Sequence, residues 1–417
     1  MKKIILCFLL VFISHFSFTA ANYTWSCYVQ PFEGTTFLLD GKKVTPKIIS
    51  KDNTKYNVSF SLKNKNASLQ VSHVGYKNYN AEIDLSKKDN YIFLDKVNST
   101  FSFYKYIKTG SQPKSVTFIS TDVISAPLLN SNGADIINIH TGKTVRVTPP
   151  TFANKKGFVE SLVLAHKNEV WISQMQANKI HVFSTTDYKH IVTIPTTADW
   201  GKVLKYDSKR NKVYFSAWSG RKICVINPDT YKEEKSFSAH GYPRGMSMSE
   251  DCSGLYICQY GLNSDEDMRG IILKVNPENG KILKRIGVPG AKRHIVLDKK
   301  HGYVIVSDMA ASTIEIYNDK DTKLVKKIKV YKKPNTIVLS PDCSKLYVSS
   351  RGPNNPKTYY LKGFNMGRLS IIDMENLTKT EEWEGGNQCT GLDISPDGNF
   401  LVVSDFLDDA IRVYKKN

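Results

Sequence analysis

A short apolar strand ending in a small polar residue recurs along this chain and limits what it can fold into. It reads "DVISA", "EVWIS", "KVYFS", "GLYIC", "YVIVS", "KLYVS" and "FLVVS", anchored at Ser125, Ser173, Ser216, Cys258, Ser307, Ser349 and Ser404. The anchors lie 48, 43, 42, 49, 42 and 55 residues apart. Each is followed by another strand, as in "KICVINPDTYK" and "TIEIYNDKDTK", and usually by a fourth with alternating apolar residues, as in "KILKRIGV" and "LVKKIKV". Period-two alternation bounded by Gly, Asn, Asp and Pro turns indicates strands, and no 3.6-residue period competes with it. Seven units of four strands predict a seven-bladed β-propeller over residues 101–417.

The last unit, ending "LVVSDFLDDAIRVYKKN", is one strand short. Residues 102–108, "SFYKYIK", precede "TGSQPKSV" as "KILKRI" precedes "GVPGAKRHIV". They are expected to supply the missing strand and join the first unit to the last, leaving no open edge between them.

"LSPDCSKLYVSS" and "ISPDGNFLVVSD" carry Ser-Pro-Asp, a turn residue, then an apolar strand ending in small polar residues. This pattern resembles the YVTN family of propeller repeats, most closely in the fourth to seventh units. The resemblance implies the architecture; function varies widely among propellers, and nucleic-acid binding is one activity attributed to some members. Residues 22–100 form a separate unit. There "SHVGYKNY", followed by an alternating strand, is similar to the PEGA domain, a small β-sandwich of the bacterial envelope. An attachment role is expected of it. Residues 1–21 have a basic start, an apolar stretch and small residues before a cut after Ala21, which predicts a signal peptide. The mature chain is then exported to the periplasm or cell surface of a bacterium, with no transmembrane segment, as a monomer. Its six cysteines are expected to be mostly free thiols, with Cys258 and Cys389 in a β core; "YTWSC" is a poor site for lipid attachment to Cys27.

The charge is strongly basic, with 58 Lys and Arg against 39 Asp and Glu, net +19. Residues 22–100 hold only 11 basic and seven acidic side chains, so most of the excess lies in the repeats. Aligning the loops that lead into the innermost strands gives "QPKSV", "GFVES", "WGKVL", "YPRGM", "AKRHI", "KPNTI" and "QCTGL". One slot holds Lys114, Lys202, Arg244, Arg293, Asn335 and Thr390, with Val159 or Glu160 in the second unit. Lys155, Lys156, Lys292, Lys332 and Lys333 stand close by in sequence, and Trp200, Tyr242 and His294 flank the slots. The long loop "SRGPNNPKTYYLKGFNMGRL" adds Arg351, Lys357, Lys362 and Arg368 among Tyr359, Tyr360 and Phe364. Cations converging from separate blades focus a positive field, and interleaved aromatics offer ring faces.

These residues favour a non-enzymatic binding protein for an anionic polymer: nucleic acid, an acidic glycan or a cell-wall polymer. Two alternatives stay open. One is a lactonase-like hydrolase using Glu160 and His294, with Asp393 nearby; the other is a scaffold for a protein partner at the envelope. No cofactor, metal site or catalytic set is predicted. The acidic loop at Asp265, Glu266 and Asp267 matches no calcium-loop spacing.

Overall fold

The computed structural model describes residues 23–150, 156–261 and 270–417. The expected signal segment, Lys155 and the acidic loop at 265–267 lie outside the described residues. The chain divides into two compact units, Met1–Leu94 and Asp95–Asn417. The boundary falls ahead of residue 101 because residues 95–100 are tied to the repeats. The Asp95 carboxylate accepts the Phe103 amide N–H at 2.6 Å, the Lys96 ammonium donates to the Glu382 carbonyl at 2.8 Å, and the Thr100 N–H donates to the Glu381 carboxylate at 3.0 Å.

In the first unit, strands Tyr23–Gln30, Lys47–Asp52, Lys55–Leu62 and Tyr91–Phe93 form one four-stranded sheet. Thr36–Leu39, Lys42–Val44, Ser68–Ser72 and Tyr79–Glu82 form the other. Alternate residues of both sheets, including Trp25, Cys27, Val29, Phe37, Val58, Phe60, Leu69 and Val71, make one buried core. Burial pushes the Cys27 thiol well above its usual range. It is a free thiol, like Cys224, Cys252, Cys258, Cys343 and Cys389.

The second unit is all β and propeller-like. Its four-stranded antiparallel sheets follow one another along the chain: a first at 117–147, then Phe158–Pro195, Gly201–Ser238, Pro243–Gly290, Lys292–Lys329 and Pro334–Glu384. A seventh is built from Cys389–Ile394, Phe400–Asp405 and Ala410–Lys416, with Phe101–Lys108 as its fourth strand. The register pairs Ile411 with Ile107, Tyr414 with Phe103 and Lys416 with Phe101. Innermost strands of successive sheets lie side by side, and that of the seventh sheet also lies beside that of the first. The second strands are buried throughout, which is why they read as short continuous apolar runs.

The repeated serine has a physical role that accounts for its recurrence. Ser349 Oγ accepts the Thr336 N–H of its own innermost strand at 3.2 Å and donates to the Thr390 carbonyl of the next sheet at 2.9 Å. Ser173 does the same with the Glu160 N–H at 3.2 Å and the Lys202 carbonyl at 2.8 Å, and Ser307 with the His294 N–H at 3.1 Å and the Asn335 carbonyl at 3.1 Å. Each hydroxyl therefore stitches two neighbouring sheets at their inner edge, satisfying backbone groups that the strand ladder leaves open.

Candidate functional site

Those open backbone groups exist because the innermost strands bulge. The register slips by one residue between Phe158 and Ser161, Gly201 and Leu204, Pro243 and Met246, Lys292 and His294, Pro334 and Ile337, and Cys389 and Leu392. The aligned slot residues of the second to seventh units all fall inside such a slip. A bulge leaves a residue unpaired and re-aims its side chain, here toward the middle of the ring. The register also settles the second unit. Phe158 pairs as Gly201 does, so Val159 corresponds to Lys202 and Glu160 to Val203. Gly391 follows its slot residue where a Cβ would meet the Ser115 backbone at 2.6 Å, so the seventh and first sheets approach closely only because that position is glycine.

On the side where the innermost strands begin, a cavity of about 500 Å³ is lined by Lys114, Lys202, Arg244, Lys333 and Arg351. Leu129, Val159, Met175, Trp200, Trp218, Tyr260 and Tyr359 complete most of its wall. No carboxylate lines it among the described residues. Lys114, Lys202, Arg244 and Arg351 lean on aromatic faces instead. Lys202 Nζ lies 5.4 and 5.7 Å from the Trp200 and Trp218 ring centres, and Lys114 Nζ lies 4.4 Å from Phe406. The Arg244 guanidinium lies 5.6 Å from Trp218 and 5.3 Å from Tyr260, and that of Arg351 lies 5.3 Å from Tyr359. Arg351 Nε also donates to Gln388 Oε1 at 3.1 Å. Arg244 Nε and the Trp218 indole N–H are buried with no hydrogen-bond partner.

The electrostatic consequence is mutual pressure. Burial, then the charges of Arg351, Arg293, Lys202 and Arg244, hold the Lys114 ammonium well below its ordinary value. Burial and Arg293 push Arg244 down to about 9; burial and Arg293 bring Arg351 to about 10. Each cation–π contact offsets about 0.5–2 kcal/mol, whereas a charge taken out of water costs several. The cations are held in place but not neutralised.

Arg293 and Asn335, from the same slot, are 6% and 2% exposed and line neither cavity. Arg293 Nε donates to Asn335 Oδ1 at 2.9 Å, and Asn335 Nδ2 donates to the Thr390 carbonyl at 2.8 Å. A second cavity of about 810 Å³ runs along the innermost strands, lined by Glu160, Lys205, His294 and Asp393 among others. Burial raises the Glu160 carboxyl, against the opposing pull of Arg293 and Lys114, and raises Asp393 to about 6. Burial and Arg293 lower His294 to about 3.

Of the residues singled out in the sequence, Lys114, Trp200, Lys202, Arg244, Lys333, Arg351 and Tyr359 converge on the first cavity. Arg293 and Asn335 line neither cavity and are hydrogen-bonded to each other, and His294 lines the second cavity. Tyr242 stands one ring further out, 5.4 Å from Trp218, with its hydroxyl receiving a 2.6 Å bond from Arg221. The Tyr360 ring lies 3.9 Å from that of Tyr359, tilted by 34°, and Lys156 is exposed outside the cavity wall. Three cations expected near the site are neutralised elsewhere. Lys292 is fully buried between Asp308 at 2.8 Å and Glu315 at 2.6 Å, Lys362 pairs with Asp408 at 2.7 Å, and Arg368 pairs with Glu382 at 2.8 Å.

Trp218, Tyr260, Met175 and Met309 were not anticipated, yet the sequence contains their index. Each lies two residues beyond a repeat anchor, at Ser216, Cys258, Ser173 and Ser307, as Arg351 does beyond Ser349 and Phe406 beyond Ser404. Two residues on keeps the side chain on the same strand face, shifted to the end of the strand, where it meets the slot residues.

No protein-family profile matches the chain. Among solved structures it is similar to hydrazine synthase of Kuenenia stuttgartiensis (TM-score 0.62, 15% identity, 74% of this chain and 97% of that one). It is also similar to virginiamycin B lyase of Staphylococcus aureus (TM-score 0.60, 14% identity, 76% of this chain and 100% of that one). Identity that low carries the propeller-like fold and no activity. Antigen Lp49 of Leptospira interrogans is 41% identical over 398 residues, 93% of this chain and 87% of that protein. The chain therefore belongs to the family of antigen Lp49.

Proposed function

We propose that this is an exported, non-enzymatic binding protein of the bacterial envelope that holds an anionic polymer at the first cavity. On this reading the seven sheets of the second unit are the blades of a YVTN-type propeller, and the first unit is a PEGA-like attachment domain. The observation that carries the proposal is the set of five cations around a cavity with no lining carboxylate among the described residues. Such a set is unfavourable when empty and favourable once an anion enters. That a bacterial antigen is 41% identical supports export.

The test is binding of the protein to single-stranded DNA, duplex DNA and an acidic glycan at low and near-physiological salt. If all five cations release counterions from a single strand, log K falls with log salt at a slope of about −3.5. Lys202→Met with Arg244→Gln is expected to reduce that slope by about 1.4 and weaken binding at least tenfold. A distal pair, Lys326→Gln with Lys327→Gln, is expected to leave binding near the original. Equal losses from both pairs would reduce the interaction to plain net charge and defeat the reading.

A further inference from the structure

The first cavity shares no lining residue with the second, and the buried Arg293–Asn335 hydrogen bond belongs to neither wall. Its volume of about 500 Å³ suits a compact group or a chain end. Cations lie over several of the lining rings: Lys202 over Trp200 and Trp218, Arg244 over Trp218 and Tyr260, Arg351 over Tyr359. These rings hold the cations in position.

What the cavity offers a ligand is therefore donors and charge at high density. Two buried N–H donors, Arg244 Nε and Trp218 Nε1, wait for acceptors. Five cations line about 500 Å³, and Glu160, in the wall of the second cavity, interacts electrostatically with Lys114, Arg244 and Arg293. Six positive groups against one carboxylate favour a multiply charged anion. Each phosphoryl group carries about −1.5 to −2 and three acceptor oxygens, so two or three joined phosphoryl groups supply this within a small volume. An isolated carboxylate or the spaced charges of a glycan do not. The guanidinium forks suit such oxygens bidentately.

We propose that the first cavity is an end-on receptor for an oligophosphate group, free or at the terminus of a longer molecule, inserted between Lys114, Lys202, Arg244 and Arg351. The inference rests on the reading of the cavity as an anion site and narrows its ligand.

The experiment is calorimetric titration of the full chain with inorganic tripolyphosphate, with orthophosphate and citrate at matched ionic strength as separate arms. Tripolyphosphate is expected to bind one per chain, at least tenfold more tightly than either comparison anion. It should displace any bound polymer, and Lys202→Met with Arg244→Gln should lower its affinity tenfold or more. Thermal unfolding of the variant checks its fold, and Lys114→Met serves if the double variant does not fold. Tripolyphosphate binding no more tightly than citrate, or binding unchanged in the folded variants, overturns the proposal. If a polymer binds through Lys202 and Arg244 but tripolyphosphate neither binds nor displaces it, the end-on inference fails and the anion-site reading survives. If the variants alter no anion's binding, both fail. A longer 5′-triphosphorylated oligonucleotide, compared with its 5′-hydroxyl form, separates a chain terminus from a free oligophosphate: preference for free tripolyphosphate over both assigns the free source.

Discussion

Replacing Ser349 by alanine tests the claim that the repeated serine joins sheets. Ser349 is fully buried in the second strand of the sixth sheet. Its hydroxyl accepts from the Thr336 N–H at 3.2 Å and donates to the Thr390 carbonyl at 2.9 Å. In the alanine variant the Thr390 carbonyl keeps the Asn335 side-chain bond at 2.8 Å, so its loss is partial. The Thr336 N–H has no such substitute within the bulge. Leaving one buried donor unpaired costs about 1–3 kcal/mol, and nothing offsets it because the volume change is small. With a urea slope of about 3 kcal/mol/M for a domain this size, the midpoint falls by about 0.3–1 M. Trp383 pairs with Leu369 in the same sheet, so tryptophan fluorescence reports on this region. Two units sit in one chain, so the transition of the second unit must be resolved separately. Ser236→Ala, on an exposed outer strand, is the control and is expected to stay within about 0.5 kcal/mol. Ser349→Cys is expected to lose less than alanine, because Cys258 occupies the equivalent position in the fourth unit. If Ser349→Ala costs no more than Ser236→Ala, the anchor is only a requirement for a small residue, and the stitching argument is wrong.

Phe101→Ala is expected to cost about 3–5 kcal/mol, since Phe101 is buried against Tyr347 at 5.5 Å in the core shared with the seventh sheet. Urea unfolding checks it, and a cost below about 1 kcal/mol would mean that the closing strand is dispensable. Lys114→Met is expected to raise the stability of the ligand-free protein while abolishing anion binding, because it removes a buried cation repelled by four others; a lower thermal midpoint would contradict this. Lys114 binds its proton less tightly folded than unfolded, so the stability of the ligand-free protein should climb as pH rises toward 10.5, and bound tripolyphosphate should flatten that climb in pH-dependent melts. Asp393 has the opposite sign: raised from 3.8 to about 6, it withdraws stability as pH rises through that window. Asp393→Asn should flatten the slope between those values, and an unchanged slope would place the titration elsewhere.

How much of this was legible before folding is clearest at the slot residues. Lys114, Lys202, Arg244 and Arg293 occupy one aligned position, and a repeat protein brings aligned positions to one place in space, so local periodicity was enough to bring them together. The same logic predicted that residues 102–108 pair with the chain's last strand, which they do from Phe101 to Lys108. The anchors even indexed Trp218, Tyr260 and Arg351, two residues further on, although that signal was not used. Neutralisation obeyed no such rule. Lys292 sits next to Arg293 in sequence, yet one is sealed between Asp308 and Glu315 and the other is bonded to the neutral Asn335. Neighbours on a strand point to opposite faces, and a bulge breaks that alternation at this very point. Lys362 and Arg368 lie in the same loop as Tyr359 and still end on Asp408 and Glu382. Repeat spacing therefore specified where charge would gather. Which charges stayed unneutralised was decided only when sheets distant in sequence came into register, because an ion pair depends on a few ångströms between side chains that periodicity does not control.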